Sequence, residues 1–192
     1  MTNTQRHLPS LEDSIYSKVL EVIRLLRESN RRIVLAESCT GGMVSSWFVS
    51  IPGVSDVFCG SMVVYRNDTK SKWLGLDPSE LADPQVSSVG PWASQQLARK
   101  VMLGTPEADV GISVTGHLRP ESPSHVDRKI FLAGMVRSPE KYSETDCDLE
   151  LTQPSGDGFK SDRRTLQLLA TFETLSFTVK LLDLVDGFRK VP

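Results

Sequence analysis

The 192-residue chain sets 22 Lys and Arg against 24 Asp and Glu, and its net charge of −2 gives no basic footprint for a nucleic-acid backbone or an anionic membrane surface. No apolar run approaches the roughly 20 residues of a membrane span and Met1 to Pro9 is polar, so the expectation is a cytoplasmic protein with neither a membrane nor a nucleic-acid partner. Its three cysteines, 39, 59 and 147, are scattered without metal-ligand spacing, which argues against a disulfide framework or a metal site; the length suits one α/β domain over 1–192, with 1–9 as a disordered lead.

In chain order, Ser10 and Asp13 form the start of a capping box. Leu11, Ile15, Val19, Val22 and Leu26 then make one apolar stripe on a helix ending near Ser29-Asn30, with Arg24, Arg27 and Glu28 on a solvated side. The apolar run Ile33-Val34-Leu35-Ala36 stops at Glu37-Ser38-Cys39-Thr40-Gly41-Gly42, and a second apolar-periodic run begins at Met43. This reads as strand, tight loop, helix. Negative charge developing beside Ser38 would meet the first free N–H groups of that helix, and glycines 41 and 42 would let a substrate approach the backbone. The plainer reading is a turn in which Ser38 or Thr40 caps the helix.

Ile51-Pro52-Gly53 breaks this helix, and Val57 to Tyr65 reads as a strand with an irregularity at Gly60. Asn67 or Asp68 is a cap for the next helix, which sets Lys70 in its first turn. There the dipole disfavours an added positive charge and lowers the lysine pKa, although a lysine in a short charged helix is ordinarily solvated. A short turn of helix at Pro78 to Leu81 and a packing helix through Trp92, Leu97 and Val101 follow, with Trp92 as a core anchor.

Val110 to Thr115 is a buried strand that runs into a long loop, Gly116 to Arg128. His117, Arg119, His125 and Arg128 lie on this loop; His117 is a candidate substrate contact beside the plainer reading of a solvated histidine. Lys129 to Arg137 and Glu144 to Leu151 form an antiparallel hairpin. A polar loop, Gln153 to Lys160, precedes a helix from Ser161 to about Val185, buried through Leu166, Leu169, Phe172, Val179 and Leu182 and stopped by Gly187. The order predicts an α/β fold, a three-layer α/β/α sandwich with a mixed, mainly parallel central sheet.

Three segments carry a resemblance: Ala36-Glu37-Ser38-Cys39-Thr40-Gly41-Gly42, Gly60 through Tyr65 to Lys70, and Ile112-Ser113-Val114-Thr115-Gly116. Together they resemble the C-terminal domain of the CinA family, whose stand-alone members include the nicotinamide-nucleotide amidases. The resemblance implies a three-layer α/β/α domain, often a homodimer. It further implies hydrolysis of the carboxamide of nicotinamide mononucleotide, a pyridine nucleotide, to nicotinate mononucleotide and ammonia. It makes Ser38 the nucleophile, with Tyr65 and Lys70 as catalytic partners, and Glu37, Thr40, Gly41, Gly42, Thr115, Gly116 and Arg163 substrate-binding positions.

The residue types are compatible with that chemistry. A serine hydroxyl needs an adjacent base to attack an amide, and a lysine serves only when its pKa is pulled down. Tyr65 can relay a proton to Ser38 or to the departing ammonia, while the amides of Thr40 to Gly42 hold the oxyanion; no metal or redox cofactor is required. Cys39, the rival nucleophile, reads as a packed thiol.

Departures from the family pattern fall where substrate recognition is expected. The glycine-rich loop after Thr-Gly is here Thr115-Gly116-His117-Leu118-Arg119-Pro120-Glu121-Ser122-Pro123, and Val-Ser-Glu has become Val86-Ser87-Ser88. Gly-Asp-Arg has become Ser161-Asp162-Arg163, and Gln167 stands where a second arginine would reach a phosphate, with Arg163, Arg164, Arg119 and Arg128 as candidate replacements. Two other readings stay open: a catalytically silent nucleotide-binding or regulatory domain, and a hydrolase of a different small amide.

Overall fold

The computed structural model describes residues 10–118, 127–137, 142–151 and 162–187. Helix α1, Leu11–Glu28, begins with the expected box: the Ser10 hydroxyl accepts the Asp13 N–H at 3.1 Å and Asp13 accepts the Ser10 N–H at 3.0 Å. Its buried stripe is Ile15, Val19, Val22, Ile23 and Leu26. Arg27, expected merely to be solvated, reaches Asp56 at 2.7 Å and ties α1 to the turn at Val54–Asp56.

Strand β1, Ile33–Glu37, is buried throughout because it is flanked on both sides, by β2 (Phe58–Val63) and β3 (Val110–Gly116), both parallel to it. Strands β4 (Lys129–Arg137) and β5 (Tyr142–Glu150) add antiparallel pairs, and the order is β2-β1-β3-β4-β5. Only β4 opposes the other four, so the sheet is mixed and mainly parallel, as the element order predicts.

Side-chain alternation divides the core into two layers. Ile33, Leu35, Val110, Ile112 and Val114 pack with α1, α2 (Met43–Val49) and α6 (Arg163–Gly187). Val34 and Ala36 pack on the other face with α3 (Asn67–Leu74), α4 (Pro78–Ala82) and α5 (Pro91–Leu103), where Trp92 takes its expected place against the core. Among the described residues no helix is long and apolar enough to cross a membrane.

Several element ends differ from the sequence reading. The β2 register slips between its partners Ile33 and Val34, with Gly60 at φ 145°, which is the expected irregularity. The strand ends at Val63, leaving Tyr65 on the turn beyond it. The cap of α3 is Arg66 and not Asn67 or Asp68, because the Thr69 hydroxyl accepts the Arg66 N–H at 3.2 Å and draws Asn67 into the helix. Strand β5 starts at Tyr142, ahead of Glu144.

Helix α6 starts at Arg163, after Asp162 accepts the Thr165 N–H at 2.7 Å. Leu166, Val179 and Leu182 are buried as expected, but Leu169 and Phe172 are only half-buried. Ala170, Thr171, Thr174 and Thr178 take the inner face in their place. Each of these threonine hydroxyls donates to the carbonyl four residues back, at 2.6–2.8 Å, which satisfies it without solvent. The lead at 1–9, Arg119, Pro120, His125, the 153–160 loop and Ser161 lie outside the described residues.

Candidate active site

The loop after β1 is organised by Glu37. Its carboxylate is buried and accepts five hydrogen bonds, from the Thr40 and Ser61 hydroxyls and the Gly42, Val44 and Ser45 N–H groups, at 2.8–3.1 Å. A carboxyl acceptor therefore sits at the start of α2, where orphan N–H groups need one. Gly42 is the residue before the helix and, with Gly41, adopts positive φ (95° and 64°), a conformation costly for side-chain-bearing residues. Neither Ser38 nor Thr40 caps α2. Glu37, expected against a substrate, directs these five bonds to the loop, to α2 and to Ser61, a partner that the sequence reading missed inside an apolar strand.

Ser38 continues the sheet: its N–H donates to the Val114 carbonyl at 3.0 Å, and the Val64 N–H donates to the Glu37 carbonyl at 2.8 Å. The register that pairs Glu37 with Val114 sets Ser38 beside Thr115. Ser38 is 5% exposed, and the buried Thr115 hydroxyl has no hydrogen-bond partner among the described residues. Gly116 is required by packing, since a Cβ there would lie 2.7 Å from the Lys129 carbonyl oxygen. His117 is half-buried and donates its N–H to that same carbonyl at 3.0 Å.

Lys70 is not a surface lysine: it is 1% exposed, and its ammonium donates to the Ser88 carbonyl at 2.5 Å. Burial pushes its pKa down from the ordinary lysine value to about 8, with the Cys39 thiol pulling the other way. Desolvation, rather than the helix dipole invoked from sequence, is the cause. Burial pushes the Cys39 thiol up to about 12, against the opposing pull of Arg163, so Cys39 is the packed, un-ionised thiol expected.

Tyr65 is 57% exposed, and its hydroxyl accepts a hydrogen bond at 3.1 Å from Arg163, whose other nitrogen donates to the Leu118 carbonyl at 3.2 Å. Among the described residues no hydrogen bond joins any two of Ser38, Tyr65 and Lys70, so the expected relay through Tyr65 is not formed. The expected oxyanion amides are also partly engaged. Gly41 N–H donates to the Ser38 carbonyl at 3.1 Å and Gly42 N–H to Glu37, leaving the Thr40 N–H without a partner among the described residues.

A model of the CinA C-terminal domain matches residues 16–143 of the chain. The chain belongs to this CinA family. A CinA-like protein of Thermotoga neapolitana is 35% identical over 120 residues, covering 62% of this chain and 28% of its own length. One from Dictyoglomus thermophilum is 32% identical over 161 residues, covering 81% and 35%. The chain thus spans roughly a third of the length of these relatives. Among solved structures, a competence/damage-inducible protein of Agrobacterium tumefaciens superposes with a TM-score of 0.75 at 22% identity, over 92% of this chain and 99% of that one. A CinA superfamily protein of Enterobacter cloacae gives 0.73 at 20%, over 95% and 99%. These two share the fold.

On the other side of the CinA-family loop, a cleft of about 450 Å³ opens between α2 and α6, lined by residues that include Thr40, Gly41, Gly42, Trp47, Arg164 and Gln167. Gln167 donates to the Cys39 carbonyl at 3.1 Å and pins the loop to α6. Arg164 is an exposed cation at this cleft, and Trp47 an aromatic wall that the sequence reading left as an apolar helix residue.

Proposed function

We propose that this domain hydrolyses the carboxamide of nicotinamide mononucleotide, releasing ammonia and nicotinate mononucleotide. The observation that carries the reading is the buried Lys70 amine, with its pKa lowered to about 8, on the sheet face that Ser38 continues. At pH 7 such an amine is about one-tenth unprotonated, enough to serve as a base.

Lys70 takes the Ser38 hydroxyl proton as Oγ attacks the carboxamide carbon. The oxyanion meets the Thr40 N–H, and the C–N bond breaks as a proton passes to the departing ammonia. Because Tyr65 accepts from Arg163, its own O–H remains free to donate that proton. The Lys70 ammonium then returns its proton to the Tyr65 phenolate, and water, activated by the restored amine, hydrolyses the acyl ester, frees the acid and leaves the proton to Ser38 Oγ.

The test is ammonia release from nicotinamide mononucleotide, with nicotinamide as the non-phosphorylated comparison. Ser38→Ala and Lys70→Ala are each expected to lower kcat by about 10³-fold or more. Absence of ammonia release by the wild type from every pyridine-nucleotide amide tried would end this reading. A second reading, a silent nucleotide-binding or regulatory domain, is favoured by the lack of any bond among Ser38, Tyr65 and Lys70. Calorimetric binding of the mononucleotide without turnover would select it.

A further inference from the structure

The stretch between α4 and α5 does more than connect them. Ser87, a residue with a side chain, adopts φ 65°, in a region that such residues seldom occupy. It is held there from three directions. Its N–H donates to the Asp83 carbonyl at 2.8 Å, its hydroxyl donates to the Val89 carbonyl at 3.1 Å, and the same hydroxyl accepts the Val89 N–H at 3.1 Å. Ser88 is therefore fixed between two braced neighbours, and its carbonyl is the group that meets the Lys70 amine. The Asn67 side chain also spans from α3 to the Leu81 carbonyl in α4, at 3.5 Å, ahead of this stretch.

We propose that the braced Ser87-Ser88 turn is a positioning clamp for Lys70, which holds a neutral acceptor against the buried amine and so orients it in both of its protonation states. A carbonyl oxygen accepts an N–H from either ammonium or free amine, and it cannot take the proton itself. With one N–H committed to Ser88, the lone pair of the free amine is confined to directions away from the turn. A carboxylate in that place would instead favour the charged form and keep the proton on Lys70. The residue at this point of the turn is Ser88, which brings no carboxylate to the amine.

The ionisable groups on neighbouring elements are directed elsewhere. Asp68 pairs with Arg66, Asp77 accepts from Ser79, Asp83 accepts the Gln85 N–H, and the Tyr65 hydroxyl accepts from Arg163. Burial pushes the neighbouring Cys39 thiol up to about 12, so it carries no charge over the range in which Lys70 titrates.

The functional importance of the clamp rests on Lys70 being the base of the amidase reading, but the clamp itself can be tested without substrate. The experiment is a pH titration of the lysine side-chain signals by NMR in the 192-residue protein, with Lys70→Met to assign the resonance. Lys70 is expected to titrate about two pH units below the surface lysines. Ser87→Val, which cannot hold positive φ and lacks the hydroxyl, should free the turn, admit water and raise the midpoint by about one unit. Ser87→Ala, which removes only the hydroxyl that braces Val89, should raise it by a smaller amount. A wild-type Lys70 that titrates with the surface lysines overturns the clamp, as does a folded Ser87→Val protein with an unmoved midpoint. If Ser87→Val does not fold, Ser87→Ala decides by the same criterion: a raised midpoint supports the clamp and an unmoved one overturns it. Failure of the amidase reading shows in ammonia release and leaves this titration unaffected.

Discussion

A lysine ammonium withdrawn from water carries its solvation penalty into the folded state. Lys70 is 1% exposed and its pKa falls from 10.5 to about 8, which corresponds to about 3 kcal/mol of unfavourable burial whenever the unfolded chain is protonated. Below pH 8 folded and unfolded chains both hold the proton and the penalty is fully present. Between about 8 and 10.5 the folded protein sheds the proton first, so the unfolded chain binds more protons and stability rises with pH. Lys70→Met should therefore be more stable than wild type at pH 7, by about 1–3 kcal/mol, and should lack that part of the rise. Urea unfolding of both proteins at pH 7 and pH 10 measures it; equal stabilities at pH 7 would contradict the assignment. On the proposed amidase reading the same variant should lose ammonia release, a trade of stability for function.

At the scale of elements, one carboxylate joins β1, α2 and β2. Glu37 binds three N–H groups at the start of α2 and the Ser61 hydroxyl of β2, and it holds the loop on which Ser38 sits. Glu37→Ala would leave Gly42, Val44 and Ser45 without their acceptor and should cost about 3 kcal/mol, while Glu37→Gln, similar in size but uncharged, should cost about half as much. Thermal unfolding checks the order, and faster hydrogen exchange at the Val44 and Ser45 amides checks the location. If Glu37→Ala were as stable as wild type, the carboxylate would not be what organises the loop. In α6, period counting identified the helix but misplaced part of its inner face. Thr171, Thr174 and Thr178 read as polar in sequence, yet their bonds to preceding carbonyls suit them to burial beside Ala170.

Across the whole molecule, the Ser38 loop divides two environments. Lys70 lies on the α3/α5 side, while the cleft with Trp47, Arg164 and Gln167 lies on the α2/α6 side. On the proposed amidase reading, a mononucleotide long enough to reach both would place its phosphate near α6, where Gln167 is a neutral side chain and an arginine would add a charge. Gln167→Arg should therefore lower the KM for nicotinamide mononucleotide by about tenfold and leave that for nicotinamide unchanged. An equal effect on both substrates would mean that the position does not contact phosphate. The sequence by itself determined the strand–loop–helix around Ser38, the capping box of α1, the sheet class and the family, because each is written in local spacing and residue type. The tertiary structure alone decided that Lys70 is buried, that Glu37 serves the loop, that Tyr65 turns to Arg163 and that the Ser88 carbonyl meets the amine. Those outcomes depend on which side chains meet across 18 to 98 residues of chain and on how much water remains between them, and neither quantity has a local signature.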